Sequence, residues 1–174
     1  LLAQAGLRTV LVDDRPGVDR RIRTTGIFVR RTLEDSPLPA EAFGPEIRRV
    51  VLYSPAFRAL PLESQHAEFR VARMGPLVNR LLDAAIAAGV DWWPRTRCVG
   101  LEADGADRLA RFVGGRPLRA RFVIGADGAR SRVAEWLGLS RNGEWIVGVE
   151  EEYEGIPLVG PPVFHCVLSP QLAP

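Results

Sequence analysis

Apolar and polar positions follow three rhythms along this chain, and each rhythm predicts a kind of element. The first is the short continuous apolar run. Val10-Leu11-Val12, closed by Asp13-Asp14 and Pro16-Gly17, predicts a buried parallel strand and its exit turn. Ahead of it, Leu1-Leu2-Ala3-Gln4-Ala5-Gly6 has the pattern of an amphipathic helix tail stopped by a glycine C-cap. Helix end, short link, buried strand and acid together make the second half of a βαβ unit. Val50 to Tyr53 and Glu68 to Val71 predict strands separated by a Pro-containing stretch, Ser54 to Pro61. Ile22 to Phe28 is a polar, Thr- and Gly-containing segment, and Val29 to Leu33 predicts the start of a short helix.

The helical rhythm is clearest after Gly75-Pro76. Pro76 suits a first helical turn, and Leu77, Leu81, Leu82, Ala85 and Ile86 fall on one face. Gly89 ends that helix, and Val90 to Trp93 and Thr96 to Leu101 predict strands. The third rhythm is alternation. Arg108 to Val113 and Pro117 to Phe122 form a hairpin pattern around Gly114-Gly115, with Leu118, Ala120 and Phe122 opposite Arg119 and Arg121. The pattern then turns fully apolar at Phe122-Val123-Ile124, predicting a buried parallel strand, and runs into Gly125-Ala126-Asp127-Gly128. Ser131 is placed to cap a second helix, Arg132 to Leu137. Trp145 to Val149 and Val163 to Leu168 predict strands of a different sheet.

Composition narrows the classes. With 174 residues, 47% hydrophobic and 25% charged, the chain has the make-up of a soluble globular protein. No stretch approaches the roughly 20 apolar residues of a membrane span. A net charge of +2, with arginines scattered rather than clustered, argues against a nucleic-acid partner. Cys98 and Cys166 lie far apart, as do His66 and His165, so neither a disulfide framework nor a metal site is expected. Two free thiols fit a cytoplasmic protein. The chain opens without an initiator Met and stops in a loop, so both ends read as cut.

Few residues are placed for chemistry. Asp127 stands in a two-glycine turn between the expected strand and helix, where backbone N–H groups can approach a ligand. An Asp-Gly pair is also a common turn dipeptide. Asp13 or its neighbour Asp14 occupies the position where βαβ units hold ribose hydroxyls, and either also suits an exposed strand exit. The G-x-G-x-x-G loop of such units is absent and would lie before Leu1. Arg20, Arg21, Arg23 and Arg73 could meet pyrophosphate oxygens, although solvated arginines are the commoner case. Trp92, Trp93, Trp136 and Trp145 read as packing residues, and no residue stands out as a general acid or base.

Together these elements resemble FAD-dependent oxidoreductases of the p-hydroxybenzoate-hydroxylase type, and within them the geranylgeranyl-reductase-like branch. The most specific part is Val123-Ile124-Gly125-Ala126-Asp127-Gly128-Ala129-Arg130-Ser131-Arg132-Val133, which is similar to the family's internal Asp-Gly motif beside the FAD pyrophosphate. The resemblance implies an α/β fold, α+β overall: a partial Rossmann-like FAD-binding domain with a β-hairpin insertion, and the start of a β-rich substrate domain. It divides the chain into FAD-binding parts at 1–35 and 71–140, a substrate-side β segment at 36–70, and the start of the substrate domain at 141–174. It places Asp13 at the adenosine ribose, and Arg23 and Arg73 near FAD. Gly26 and Ile27 fall beside the isoalloxazine, and Gly125, Ala126, Asp127 and Gly128 along the cofactor.

The implied cofactor is FAD, reduced by NAD(P)H. The implied reaction is reduction of an isoprenoid-like double bond, with hydroxylation of a small organic substrate as the alternative. An isoprenoid substrate would bring peripheral membrane contact. Two departures stand out: the first strand with its glycine loop is missing, and Thr24-Thr25-Gly26 replaces the branch's Cys-containing loop. The first departure also admits an inactive nucleotide-binding scaffold.

Overall fold

The computed structural model describes residues 1–20, 22, 24–140, 142–157 and 159–171. In chain order the strands are β1 (Val10–Val12), β2 (Ile27–Val29), β3 (Arg49–Tyr53), β4 (Ala59–Glu63), β5 (Phe69–Val71), β6 (Asp91–Trp93), β7 (Cys98–Asp104), β8 (Asp107–Phe112), β9 (Leu118–Ala120) and β10 (Val163–Val167). The helices are α1 (Arg30–Asp35), α2 (Met74–Ala87) and α3 (Arg132–Trp136), with one 3-10 turn at Ala40–Ala42. The chain divides into two compact units. One comprises Leu1–Arg20 and Leu82–Val149, the other Arg21–Leu81 and Glu150–Pro174.

In the first unit, β1 pairs in parallel with β6, Leu11 opposite Trp92. The expected parallel strand is therefore present, with Asp13 at its carboxyl end, but it is not buried: Leu11 is 38% exposed and its neighbours are half-buried. Leu1 to Gly6 forms a helical turn, Ala5 N–H donating to the Leu1 carbonyl at 2.9 Å, and Gly6 takes a φ of +80° that suits glycine. The antiparallel sheet β7-β8-β9 has one more strand than the predicted hairpin, because β7 joins β8 through a tight turn at Gly105. Ala110 and Phe112 are its buried side chains, and Trp93 meets the Phe112 ring edge-on at 5.7 Å.

Two predicted strands are not formed. Phe122-Val123-Ile124 follows β9 without ladder partners among the described residues, and Phe122 and Ile124 stand 77% and 71% exposed. A strand is stable only where a neighbour pairs with its N–H and C=O groups, and β9 already ends at Ala120. Asp127 is therefore not at the end of a buried strand. Trp145 to Val149 is likewise without regular structure, with Ile146 fully exposed.

In the second unit, β2 pairs antiparallel with β5, so the polar segment from Ile22 ends in a strand at Ile27. The sheet β10-β3-β4 is mixed, β10 parallel and β4 antiparallel to β3. Strand β4 lies where only a Pro-containing connection was expected. Pro61 fits because β4 is an edge strand, and its missing N–H removes no bond from a central ladder. Ala42, Phe43, Ala72 and Leu77 form the core, with Phe28, Leu33, Leu38 and Met74 packed against it. Leu77, 1% exposed, places the first turns of α2 there, whereas Leu81 and Ile86 on the same predicted face stay 44% and 45% exposed. Gly89 closes α2 at a φ of +92°. Among the described residues no helix is long and apolar enough to cross a membrane. The whole is a mixed α/β fold with parallel and antiparallel sheets.

Candidate functional site

In the first unit, Asp13 ends β1 with its backbone pinned on both sides. Its N–H donates to the Trp93 carbonyl at 3.2 Å and its carbonyl accepts from Thr96 N–H at 2.9 Å. Its carboxylate is engaged by one neighbour. The Arg15 N–H and Nε both donate to Oδ1 at 2.9 Å, and Arg15 Nη2 donates to Oδ2 at 2.5 Å. The Arg15 guanidinium holds the Asp13 carboxyl below the usual range against the opposing effect of partial burial. Arg15 is raised in turn. Arg15 Nη1 also donates to the Arg20 carbonyl at 2.6 Å, tying the following loop to the strand end. Asp14 is exposed, so geometry separates the two acids that sequence left equivalent.

The turn before α3 is built around Asp127. Its Oδ1 accepts from the Ser131 hydroxyl at 2.5 Å, and its Oδ2 accepts from Arg132 and Val133 N–H at 2.6 and 3.1 Å. Ser131 Oγ accepts from Ala134 N–H at 3.0 Å, the capping bond expected of it. The orphan donors of the first helical turn are thus satisfied locally. Partial burial works to raise the Asp127 carboxyl, but the Ser131 hydroxyl and the two helix N–H groups outweigh it and hold it low.

Gly125 packs against this helix so closely that a Cβ would lie 2.8 Å from Val133 Cγ1. Gly128 takes a φ of +84° with open space around it. Among the described residues the N–H groups of Gly125, Ala126 and Gly128 have no hydrogen-bond partner. They lie in an exposed turn and are donors of the kind that phosphate or hydroxyl oxygens take.

In the second unit, Gly26 is buried at a φ of +66°, and a Cβ there would lie 2.7 Å from the Ala72 carbonyl oxygen. That oxygen is close because Ala72 N–H donates to the Gly26 carbonyl at 2.8 Å, drawing the loop onto the end of β5. Ile27 follows, 47% exposed and paired with Val71. Arg73 is exposed just ahead of α2. Its N–H donates to the Ala42 carbonyl at 2.9 Å, and its guanidinium has no partner among the described residues. Arg23 and Arg21 lie outside the described residues.

Sequence reasoning missed two features. Arg15, the partner of Asp13, was signalled only by the Asp-x-Arg spacing. His165, which stood alone in the sequence, has its Nδ1 2.9 Å from the Tyr53 hydroxyl, with the two rings stacked at 5.8 Å. The parallel register of β10 on β3 brings them together, and no local pattern predicts it.

The available groups fit FAD. Within the first unit, an acid at a parallel strand end and unpartnered N–H groups in the turn before α3 are the kinds of group that its hydroxyls and phosphates take.

Comparison with known proteins points to the same cofactor. A family described as FAD binding domain matches residues 1–152. A digeranylgeranylglycerophospholipid reductase of Methanosphaerula palustris is 28% identical over 147 residues, covering 79% of this chain and 36% of that protein. This chain thus spans little more than a third of that relative. Among solved structures, a geranylgeranyl bacteriochlorophyll reductase-like protein of Thermoplasma acidophilum superposes with a TM-score of 0.70 at 24% identity, covering 79% of this chain and 37% of that one. The flavin-dependent monooxygenase PieE, solved with FAD and substrate, gives a TM-score of 0.55 at 22% identity, covering 79% and 29%. These likenesses in structure establish the shared fold.

Proposed function

The chain belongs to the FAD binding domain family, and from that membership we propose that the protein is an FAD-dependent oxidoreductase that takes electrons from NAD(P)H and reduces an isoprenoid-like double bond. The observation that carries the cofactor assignment is the match of residues 1–152 to the FAD binding domain, and the unpartnered N–H groups of Gly125, Ala126 and Gly128 support it. The observation that favours the reductase is the 28% identity to a reductase of isoprenoid lipids.

Each residue has a part in this reading. Gly125, Ala126 and Gly128 donate to FAD oxygens, and Asp127 holds their turn against α3. Asp13 accepts from the adenosine ribose hydroxyls. Arg73, with Arg23 by resemblance, supplies charge near the pyrophosphate. Gly26 and Ile27 present backbone to the flat isoalloxazine ring, where the buried glycine lets the chain pass without a side chain. The electron-carrying chemistry is FAD's own, and the protein supplies binding, orientation and electrostatics. In this reading 1–35 and 71–140 serve the cofactor, while 36–70 and 141–174 serve a small-molecule substrate.

A second reading, hydroxylation of an organic substrate, is favoured by the likeness to PieE. Anaerobic turnover separates the two. A reductase consumes NAD(P)H and an isoprenoid alkene without oxygen, whereas a monooxygenase forms no product there. The cofactor assignment is tested by the visible spectrum of protein incubated with FAD and desalted. Retained flavin in the wild type and its loss in Gly128→Ala are the expected results, because alanine disfavours the φ of +84° that aims this N–H although its Cβ would meet open space. A colourless wild type would sink the assignment and leave the inactive scaffold.

A further inference from the structure

The Asp13 carboxylate presents a problem of capacity. Its two oxygens together accept about four hydrogen bonds. Arg15 already fills both places on Oδ1, with its backbone N–H and its Nε, and one on Oδ2. A vicinal ribose diol held in two-point fashion places one hydroxyl on each oxygen. With Arg15 in place only Oδ2 has room, so the diol and the guanidinium compete for the same carboxylate.

The surrounding structure permits the exchange. Arg15 keeps about a third of its side-chain surface exposed, 31%, so the guanidinium can swing outward. Its Nη1 contact to the Arg20 carbonyl gives it another anchor. The backbone does not depend on the ion pair: Asp13 is held by Trp93 and Thr96, and the Arg15 carbonyl accepts from Arg95 N–H at 3.0 Å. The pair is partly exposed, 31% at Arg15 and 19% at Asp13, so a diol can reach it, and it displaces the guanidinium only by replacing its hydrogen bonds.

We propose that Arg15 is a positioning residue that governs access to Asp13, its guanidinium leaving the carboxylate when the ribose diol of the FAD adenosine binds. The pair keeps the carboxylate oriented and satisfied without ligand, and it sets a threshold that the diol must exceed. The proposal rests on the reading of Asp13 as the ribose-binding acid.

FAD titration followed by quenching of flavin fluorescence tests it, using the wild type, Arg15→Met, Asp13→Asn and the double variant. Arg15→Met is expected to tighten FAD binding about tenfold, the factor that corresponds to about 1.4 kcal/mol. Asp13→Asn is expected to weaken binding, and Arg15→Met is expected to have no effect in that background. A merely structural Arg15 would shift affinity in both backgrounds alike. Arg15→Lys, which keeps a charge but cannot fill both oxygens, should fall between wild type and Arg15→Met.

If the wild type binds FAD, Asp13→Asn weakens it, and Arg15→Met is unchanged or weaker, the proposal is overturned while the cofactor reading stands. Unchanged binding in Asp13→Asn overturns the proposal through its premise. Failure of all four proteins to bind FAD overturns both readings together.

Discussion

Two aspartates, Asp13 and Asp127, spend their charge on their own neighbourhoods, one on Arg15 and the other on the first turn of α3. Asp127→Ala removes the acceptor of two helix N–H groups and of the Ser131 hydroxyl. The expected cost is about 1 kcal/mol, the usual value of a lost cap, read as a lower urea midpoint. The same bonds give a pH signature. The folded chain holds the Asp127 proton less tightly than the unfolded chain. The stabilisation is therefore complete above the ordinary aspartate pKa of about 4, and it is lost as pH falls through the lower folded value. Urea midpoints of wild type and Asp127→Asn should differ at pH 7 and converge in strong acid. Equal separation at every pH would show that the charge of Asp127 contributes nothing. The position of Asp127 was legible because Asp-Gly before a Ser-capped helix is a local pattern. Its bonding was not, since the expected strand before it implied a ligand-facing side chain and the chain instead folds the carboxylate back onto the helix.

Elements whose signal is local match their predictions. Helix α2 has an apolar face at helical spacing, and Leu77 on that face, 1% exposed, is the most completely buried large side chain among the described residues. Leu77→Ala should cost about 2–5 kcal/mol by cavity formation, measured by denaturant unfolding, whereas Ile86→Ala, at a position 45% exposed, should cost far less. Elements that need a distant partner were less legible. An apolar run such as Phe122-Val123-Ile124 reads as a strand, but the reading assumes a neighbour that the run itself cannot specify. Pro61 had the opposite effect, hiding a strand that an edge position tolerates. Hydrogen exchange checks this distinction. Amides of β7 and β8, paired along most of their length, should be protected, while those of 122–124 and 145–149 should exchange close to unfolded rates. Strong protection at 145–149 would restore the predicted strand there.

At the scale of the whole molecule, the buried apolar side chains among the described residues are few, while many large ones, including Phe57, Phe122, Ile124 and Ile146, are more than two-thirds exposed. Stability built on so little burial is small, and a cofactor that binds only the folded chain should contribute a large share of it. At a free FAD concentration 100 times its Kd, mass action adds about 2.7 kcal/mol. For a chain of this size that corresponds to a rise of roughly 5–10 °C in the unfolding midpoint. The shift should grow with the logarithm of FAD concentration, be smaller for Gly128→Ala at equal FAD, and be larger for Arg15→Met when FAD is limiting. These differences follow because the first substitution disturbs a donor for the cofactor, whereas the second frees an acceptor. A midpoint indifferent to FAD in all three proteins would mean that the free donors at Gly125, Ala126 and Gly128 serve something other than a flavin nucleotide.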